Sequence, residues 1–135
     1  MIVLDSSFLV AYHNRSDVHH GAAAAVMERL MAGEWGAALL HEYVFLEVVT
    51  VLLARRGLDA AVRVAEILLQ AREVEFVPSS DMFLDAMETF RAQRRGELSF
   101  ADAAIVTVAR QRDARFVATF DHDFRQVEGL TVVPA

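Results

Sequence analysis

Asp5, Glu47, Asp102 and Asp121 are four carboxylates scattered along a chain of 135 residues that is otherwise 55% hydrophobic. Each stands at the end of an expected strand or on a helix beside one. Acids far apart in sequence but placed just after apolar strands can converge at one edge of a parallel sheet, where the strand ends of α/β folds form their ligand crevice. Gathered there, they repel one another unless a cation joins them. A hard divalent ion such as Mg²⁺ or Mn²⁺, held by one or two of them and completed by water and phosphate, suits an all-oxygen donor set.

Each acid also has a plain structural use. Asp5 follows an apolar run and precedes Ser6 and Ser7, the setting of a helix N-cap, although the same hydroxyls would suit hydrogen bonds to ion-bound water. Asp102 lies three residues after Ser99, the spacing expected of a capping box, so that two roles compete for the same oxygens. Asp121 and Asp123 follow a strand, where Asp commonly serves as a turn residue, with Phe120 and Phe124 able to anchor the loop. Glu47 is more distinctive: within the apolar run Val44 to Val49, a carboxylate would be costly to bury without a partner. Glu42 reads as an ordinary acid near a helix start. His13, His19, His20, His41 and His122 show no HExxH spacing, which argues against a histidine zinc site, and His20 reads as structural. Ser6, Ser7 and Ser99 lack the GxSxG setting of a hydrolase nucleophile, and no Gly-rich phosphate loop is present.

The elements that must position these residues alternate between short apolar strands and amphipathic helices. Ile2 to Leu4 reads as a strand and Ser6 to Tyr12 as a helix. A second helix is expected from His19 to Ala32, capped by Asp17 and stopped by Gly33. A strand from Gly36 to Leu40 precedes helices over Glu42 to Arg56 and Asp59 to Arg72, a hairpin broken at Gly57. Glu73 to Val77 alternates like a strand. Pro78 to Ser80 then turn the chain into a helix from Met82 to Arg95, closed by Gly96. Ser99 opens a helix over Ala101 to Arg112, followed by a strand from Arg115 to Thr119, a loop or short turn from Phe120 to Phe124 and a last strand from Leu130 to Val133. This order predicts a three-layer α/β/α sandwich around a mostly parallel sheet of four or five strands, in one domain spanning residues 1–135.

Composition narrows the function classes. The absence of cysteine excludes disulfides, thiolate zinc sites and cysteine nucleophiles. The N-terminus lacks a basic region and carries Asp5 within its apolar run, so no secretory signal is expected. No stretch approaches the roughly 20 apolar residues of a membrane span, and a cytoplasmic location is the default expectation. A net charge of −6 would discourage nucleic-acid binding. Yet all 13 basic residues are arginine, grouped as Arg55 with Arg56, Arg91 with Arg94 and Arg95, and Arg110 with Arg112 and Arg115. Arginine forks bind phosphate in bidentate geometry, and arginines at helix ends also complement the helix dipole.

The blocks Ile2 to Ala11, Asp17 to His20, Glu47 to Gly57, Leu98 to Ala104 and Val117 to Phe124, in this order and spacing, resemble the PIN-domain ribonucleases. The likeness covers nearly the whole chain and is closest to the VapC-type toxins of type II toxin–antitoxin pairs. The resemblance implies a Mg²⁺- or Mn²⁺-dependent endoribonuclease whose acidic quartet maps onto Asp5, Glu47, Asp102 and Asp121. Asp5 and Asp102 would be the main metal ligands, with Asp121 and Asp123 as further candidates and Ser6, Ser7 and Thr119 as hydrogen-bonding groups beside them. Many relatives have threonine where this chain has Ser6, which keeps the hydroxyl. The ion would polarise a phosphate oxygen and activate a water that Glu47 and Asp121 orient or deprotonate. The resemblance also implies an RNA substrate, structured and of the tRNA or rRNA kind, and a VapB-type antitoxin seated on the apolar surface between the early helices. An arginine or lysine of that antitoxin could pair with the carboxylates and displace the metal. A homodimer with two sites along one groove follows the same family habit.

Three other readings compete. A receiver-like domain needs a lysine beside its aspartate, and the chain has none. A haloacid-dehalogenase-type phosphatase needs a second Asp where Ser7 stands. A catalytically silent PIN-like domain would bind RNA or protein and use its acids as caps, and intact acids at all four positions weigh against it.

Overall fold

Strand β1, Ile2–Leu4, has all three residues buried and lies at the centre of a five-stranded sheet with the order β3-β2-β1-β4-β5. The other strands are β2 (Ala38–His41), β3 (Val74–Val77), β4 (Phe116–Ala118) and β5 (Thr131–Val133), and every neighbouring pair is parallel. The structure is a computed structural model that describes residues 1–135. The register places Ile2 opposite Ala38 on one side and Phe116 on the other. Because both faces of the sheet are covered, β1, β2 and β4 read as apolar runs rather than alternating ones.

The chain runs outward from β1 to β2 and β3, then crosses back to β4 and β5 on the other side of β1. With right-handed crossovers, that reversal puts the connections on opposite faces. The connections to β2 and β3 are α1 (Ser6–His13), α2 (His20–Met31), α3 (Glu42–Arg56) and α4 (Leu58–Gln70). Helices α5 (Phe83–Arg91) and α6 (Phe100–Gln111) pack on each other as the other layer. The result is the expected three-layer sandwich. The strand order switches direction between β1 and β4, so the crevice that accepts ligands opens at their carboxyl ends.

Several boundaries differ from the sequence expectation for local reasons. Strand β2 starts at Ala38 because Gly36 adopts a left-handed φ of 73° and bonds back to the Gly33 carbonyl. Helix α2 is entered through His19, whose amide donates to the Asp17 carboxylate at 2.8 Å, so Asp17 braces the entry turn without being the N-cap. A 3₁₀ turn over Ser79–Asp81 precedes α5, and Met82 is drawn into the core against the His41 ring at 3.0 Å. The same helix stops at Arg91, short of Arg95. Beyond it the Gln93 side-chain amide donates to Leu98 O and accepts from Leu98 N, turning the chain toward α6. Between α3 and α4 the hairpin breaks at Gly57, as expected, with a φ of 87° that other residues rarely adopt.

Candidate active site

Asp5 leaves β1 at its carboxyl end, and Thr119 leaves the neighbouring β4 at the same level. Both are buried, and the Thr119 hydroxyl donates to Asp5 Oδ2 at 2.6 Å. Ser7, one residue into α1, donates to the same oxygen at 2.8 Å. Each hydroxyl has one proton to give. The 3.1 Å approach of Ser7 Oγ to Thr119 Oγ1 is therefore a contact between two oxygens whose protons are committed to Asp5. As acceptors these hydroxyls hold the next loop: the Phe120 amide donates to Ser7 Oγ and the Asp121 amide to Thr119 Oγ1, both at 2.9 Å. Asp5 occupies the backbone position of an N-cap but makes no side-chain capping bond. Its carboxylate serves the β1–β4 seam instead, with both side-chain donors on Oδ2 and neither on Oδ1.

The other acids surround this seam. Burial raises the Asp5 carboxyl above its ordinary value, hydrogen bonds from Thr119 and Ser7 oppose the rise, and the Glu47 charge adds to it. Asp102 is pushed up to about 6 by burial first, and the nearby charges of Asp5 and Asp121 contribute. The Glu47 charge thus acts on Asp5, and the Asp5 and Asp121 charges on Asp102, the repulsion expected of neighbouring acids. Their attachments differ. Asp102 forms the expected capping box, with its Oδ2 accepting from the Ser99 amide at 3.2 Å and its own amide donating to Ser99 Oγ at 3.1 Å. Asp121 caps the 3₁₀ turn His122–Gln126 by accepting from the Asp123 amide at 2.9 Å. Glu47 is exposed rather than buried, so no desolvation penalty had to be met; Ser6 donates to its Oε1 at 2.7 Å. Asp123 lines a different hollow, with Gln93, Arg94 and Arg95.

No group of three or more His, Asp or Glu side chains is placed to hold one metal ion between them. The donor chemistry nonetheless fits a hard cation of the Mg²⁺ kind, which keeps several waters and uses one or two carboxylates rather than an all-protein cage. Asp5 is buried and Asp102 half-buried, the Asp5 charge acts on Asp102, and each keeps one oxygen outside the bonds described, so the chemistry of these two carboxylates fits such an ion.

Several side chains support this edge through contacts that no motif in the sequence announces. The His41 ring is fully buried, accepts the Tyr43 amide at 3.0 Å and so caps α3, the helix that carries Glu47. Glu42 reaches from the first turn of α3 to the Ser79 amide at 3.0 Å. Gln93 braces the loop leading to Ser99. Glu42 and Ser79 lie 37 residues apart, and no local spacing signals their bond. His20 holds the Ala11 carbonyl at 2.9 Å, the structural use expected of it. The arginine groups divide: Arg55, Arg56, Arg91 and Arg110 occupy last helical turns, and Arg112 pairs with Glu75.

The chain matches the PIN domain family model over residues 2–130. Among solved structures, Mycobacterium tuberculosis VapC20, described as a Sarcin-Ricin loop cleaving toxin, is 32% identical and superposes with a TM-score of 0.79, covering 93% of each chain. No curated protein shows a significant match.

Proposed function

We propose that this chain, which belongs to the PIN-domain family and to its VapC-type ribonuclease toxins, is a divalent-cation-dependent endoribonuclease that hydrolyses phosphodiester bonds of a structured RNA. The observation that carries the reading is Asp5: a buried carboxylate at the switch point of a parallel sheet, fixed by two hydroxyls and surrounded by acids whose charges oppose it. A domain that used its acids only as caps has no need of that arrangement, because Asp5 makes no side-chain cap.

Asp5 and Asp102 would hold Mg²⁺ or Mn²⁺. When bound, such an ion supplies Lewis acidity to a phosphate oxygen and lowers the pKa of a water. Thr119 and Ser7 lock the Asp5 carboxylate in one orientation, the role that hydrogen-bonded neighbours of metal-ligating carboxylates commonly play. Glu47, exposed and steadied by Ser6, presents a carboxylate able to take the proton of the attacking water. Asp121, its amide fixed by Thr119, adds negative charge beside Asp102 and so favours cation over empty site.

The VapC-type relationship supports a VapB-type antitoxin as partner. An apolar hollow of about 180 Å³ between α1, α2 and α4, lined by Leu9, Tyr12, Met27, Met31 and Ile67 among others, is our candidate for its seat. The exposed apolar residues Phe83, Leu84 and Met87 on α5 support a second copy of the chain as a further partner. No helix is long and apolar enough to cross a membrane, and we place the activity in the cytoplasm with its RNA. A hairpin carrying the Sarcin-Ricin loop, the target named for the solved relative, is the first substrate to try. Cleavage that needs Mn²⁺ or Mg²⁺ and disappears with chelator supports the proposal; cleavage that survives chelation contradicts it.

A further inference from the structure

We infer that His19 and Phe120 form a stacking platform for an unpaired base of the substrate RNA, flanked by Arg55 and Arg125 as phosphate contacts. This deepens the nuclease reading and rests on it for the identity of the ligand. The two rings lie nearly parallel, 8° apart, with centroids separated by 4.3 Å. Phe120 is half-buried and cannot drift, since its amide is held by Ser7 Oγ, the hydroxyl that also holds Asp5. His19 is exposed, held through its amide by Asp17, so the stack ends at solvent on the histidine side.

The platform is the wall shared by two neighbouring hollows. One, of about 270 Å³, includes Ser6, Ser7, Glu47 and Arg55; the other, of about 190 Å³, includes Asp121, His122 and Arg125. Both hollows are thus lined in part by the acidic edge. Arg55 and Arg125 are exposed and take part in none of the three ion pairs of the molecule, which use Arg29, Arg91 and Arg112. Free guanidinium forks on either side of an aromatic stack, next to a phosphodiester-cleaving site, match what unpaired RNA requires. Splayed bases stack on aromatic or histidine rings, and their flanking phosphates take bidentate arginine contacts. They also answer how a chain of net charge −6 engages RNA: the local cations, not the overall charge, face the substrate.

The test uses a hairpin RNA with 2-aminopurine at single loop positions, titrated with the full chain in chelator, where binding is read without cutting. Stacking quenches the fluorophore at one loop position in the wild type. His19→Ala should lose that quenching and weaken binding about tenfold, while His19→Phe, which keeps a stacking ring, should restore both. Arg55→Ala and Arg125→Ala should weaken binding with the quenching position unchanged. Equal quenching in wild type and His19→Ala, or no quenching at any position, overturns the platform even if metal-dependent cleavage is intact. Quenching that follows His19 in a protein that never cuts RNA sinks the nuclease reading and leaves the platform standing.

Discussion

Asp5 at the β1–β4 seam and Asp102 at the start of α6 act on each other's charge, yet they are held in opposite ways. Asp5 is fixed by Thr119, which is 114 residues away, and by Ser7 on the adjoining helix, and both donors converge on one oxygen. Asp102 is fixed by Ser99, three residues away, in a capping box that α6 would need in any protein. The seam therefore exists for the carboxylate, whereas at α6 the carboxylate is borrowed from a structural motif. Loss of the group that holds each carboxylate should therefore differ in effect: substitution of Thr119 at the seam should cost chemistry more than stability, and substitution of Ser99 at the cap the reverse.

The largest expected effect comes from Asp5→Asn. RNA cleavage and Mn²⁺ binding by calorimetry should fall below detection, while the metal-free melting temperature should hold or rise, because a charge disfavoured by burial has been removed. Thr119→Val comes next: with one orienting donor lost, metal affinity or cleavage should drop about 10- to 100-fold, and Thr119→Ser should recover most of it. A drop confined to melting temperature would erase the distinction between seam and cap.

The pH dependence sharpens the contrast further. Asp102 titrates at about 6 in the folded chain against 3.8 as its ordinary value, so the folded state holds the extra proton between these limits. Stability from this group therefore falls as pH rises from about 4 to about 6. His13, lowered by burial from 6.5 to about 4, works in the opposite direction and loses stability as pH falls through the same window. Asp5, raised by burial, acts in the same direction as Asp102, and His41, lowered by burial, in that of His13. Relative to the wild type, urea melts of Asp102→Asn should shift the slope toward stability rising with pH, and those of His13→Phe toward stability falling with it.

The smallest effect is expected from Ser99→Ala. Loss of the cap should cost about 1 kcal/mol in denaturant melts, with cleavage reduced far less than in Thr119→Val. If the two variants lose cleavage equally, the cap is as much part of the chemistry as the seam.

What could be read from the sequence divides along the same line. Capping signals and strand–helix alternation act over a few residues, so the Ser99–Asp102 box, the Gly57 break and the three-layer order were legible. The Thr119–Asp5 bond and the burial of His41 under Met82 depend on which elements become neighbours, which no local pattern encodes. Glu47 shows the limit most clearly. Its apolar neighbours suggested burial, but on α3 it faces outward beside Ser6. Helix α5 ends at Arg91, short of the expected Arg95, because the Gln93 side chain, rather than a proline or glycine, turns the chain.

The most direct measurement is cleavage of a structured RNA panel, the Sarcin-Ricin hairpin included, by purified protein with Mn²⁺ or Mg²⁺, with chelator and with Asp5→Asn. Cutting that requires the ion and vanishes in both controls is the predicted result. Cutting that persists in chelator, or no cutting accompanied by no metal bound on calorimetric titration, would contradict the account.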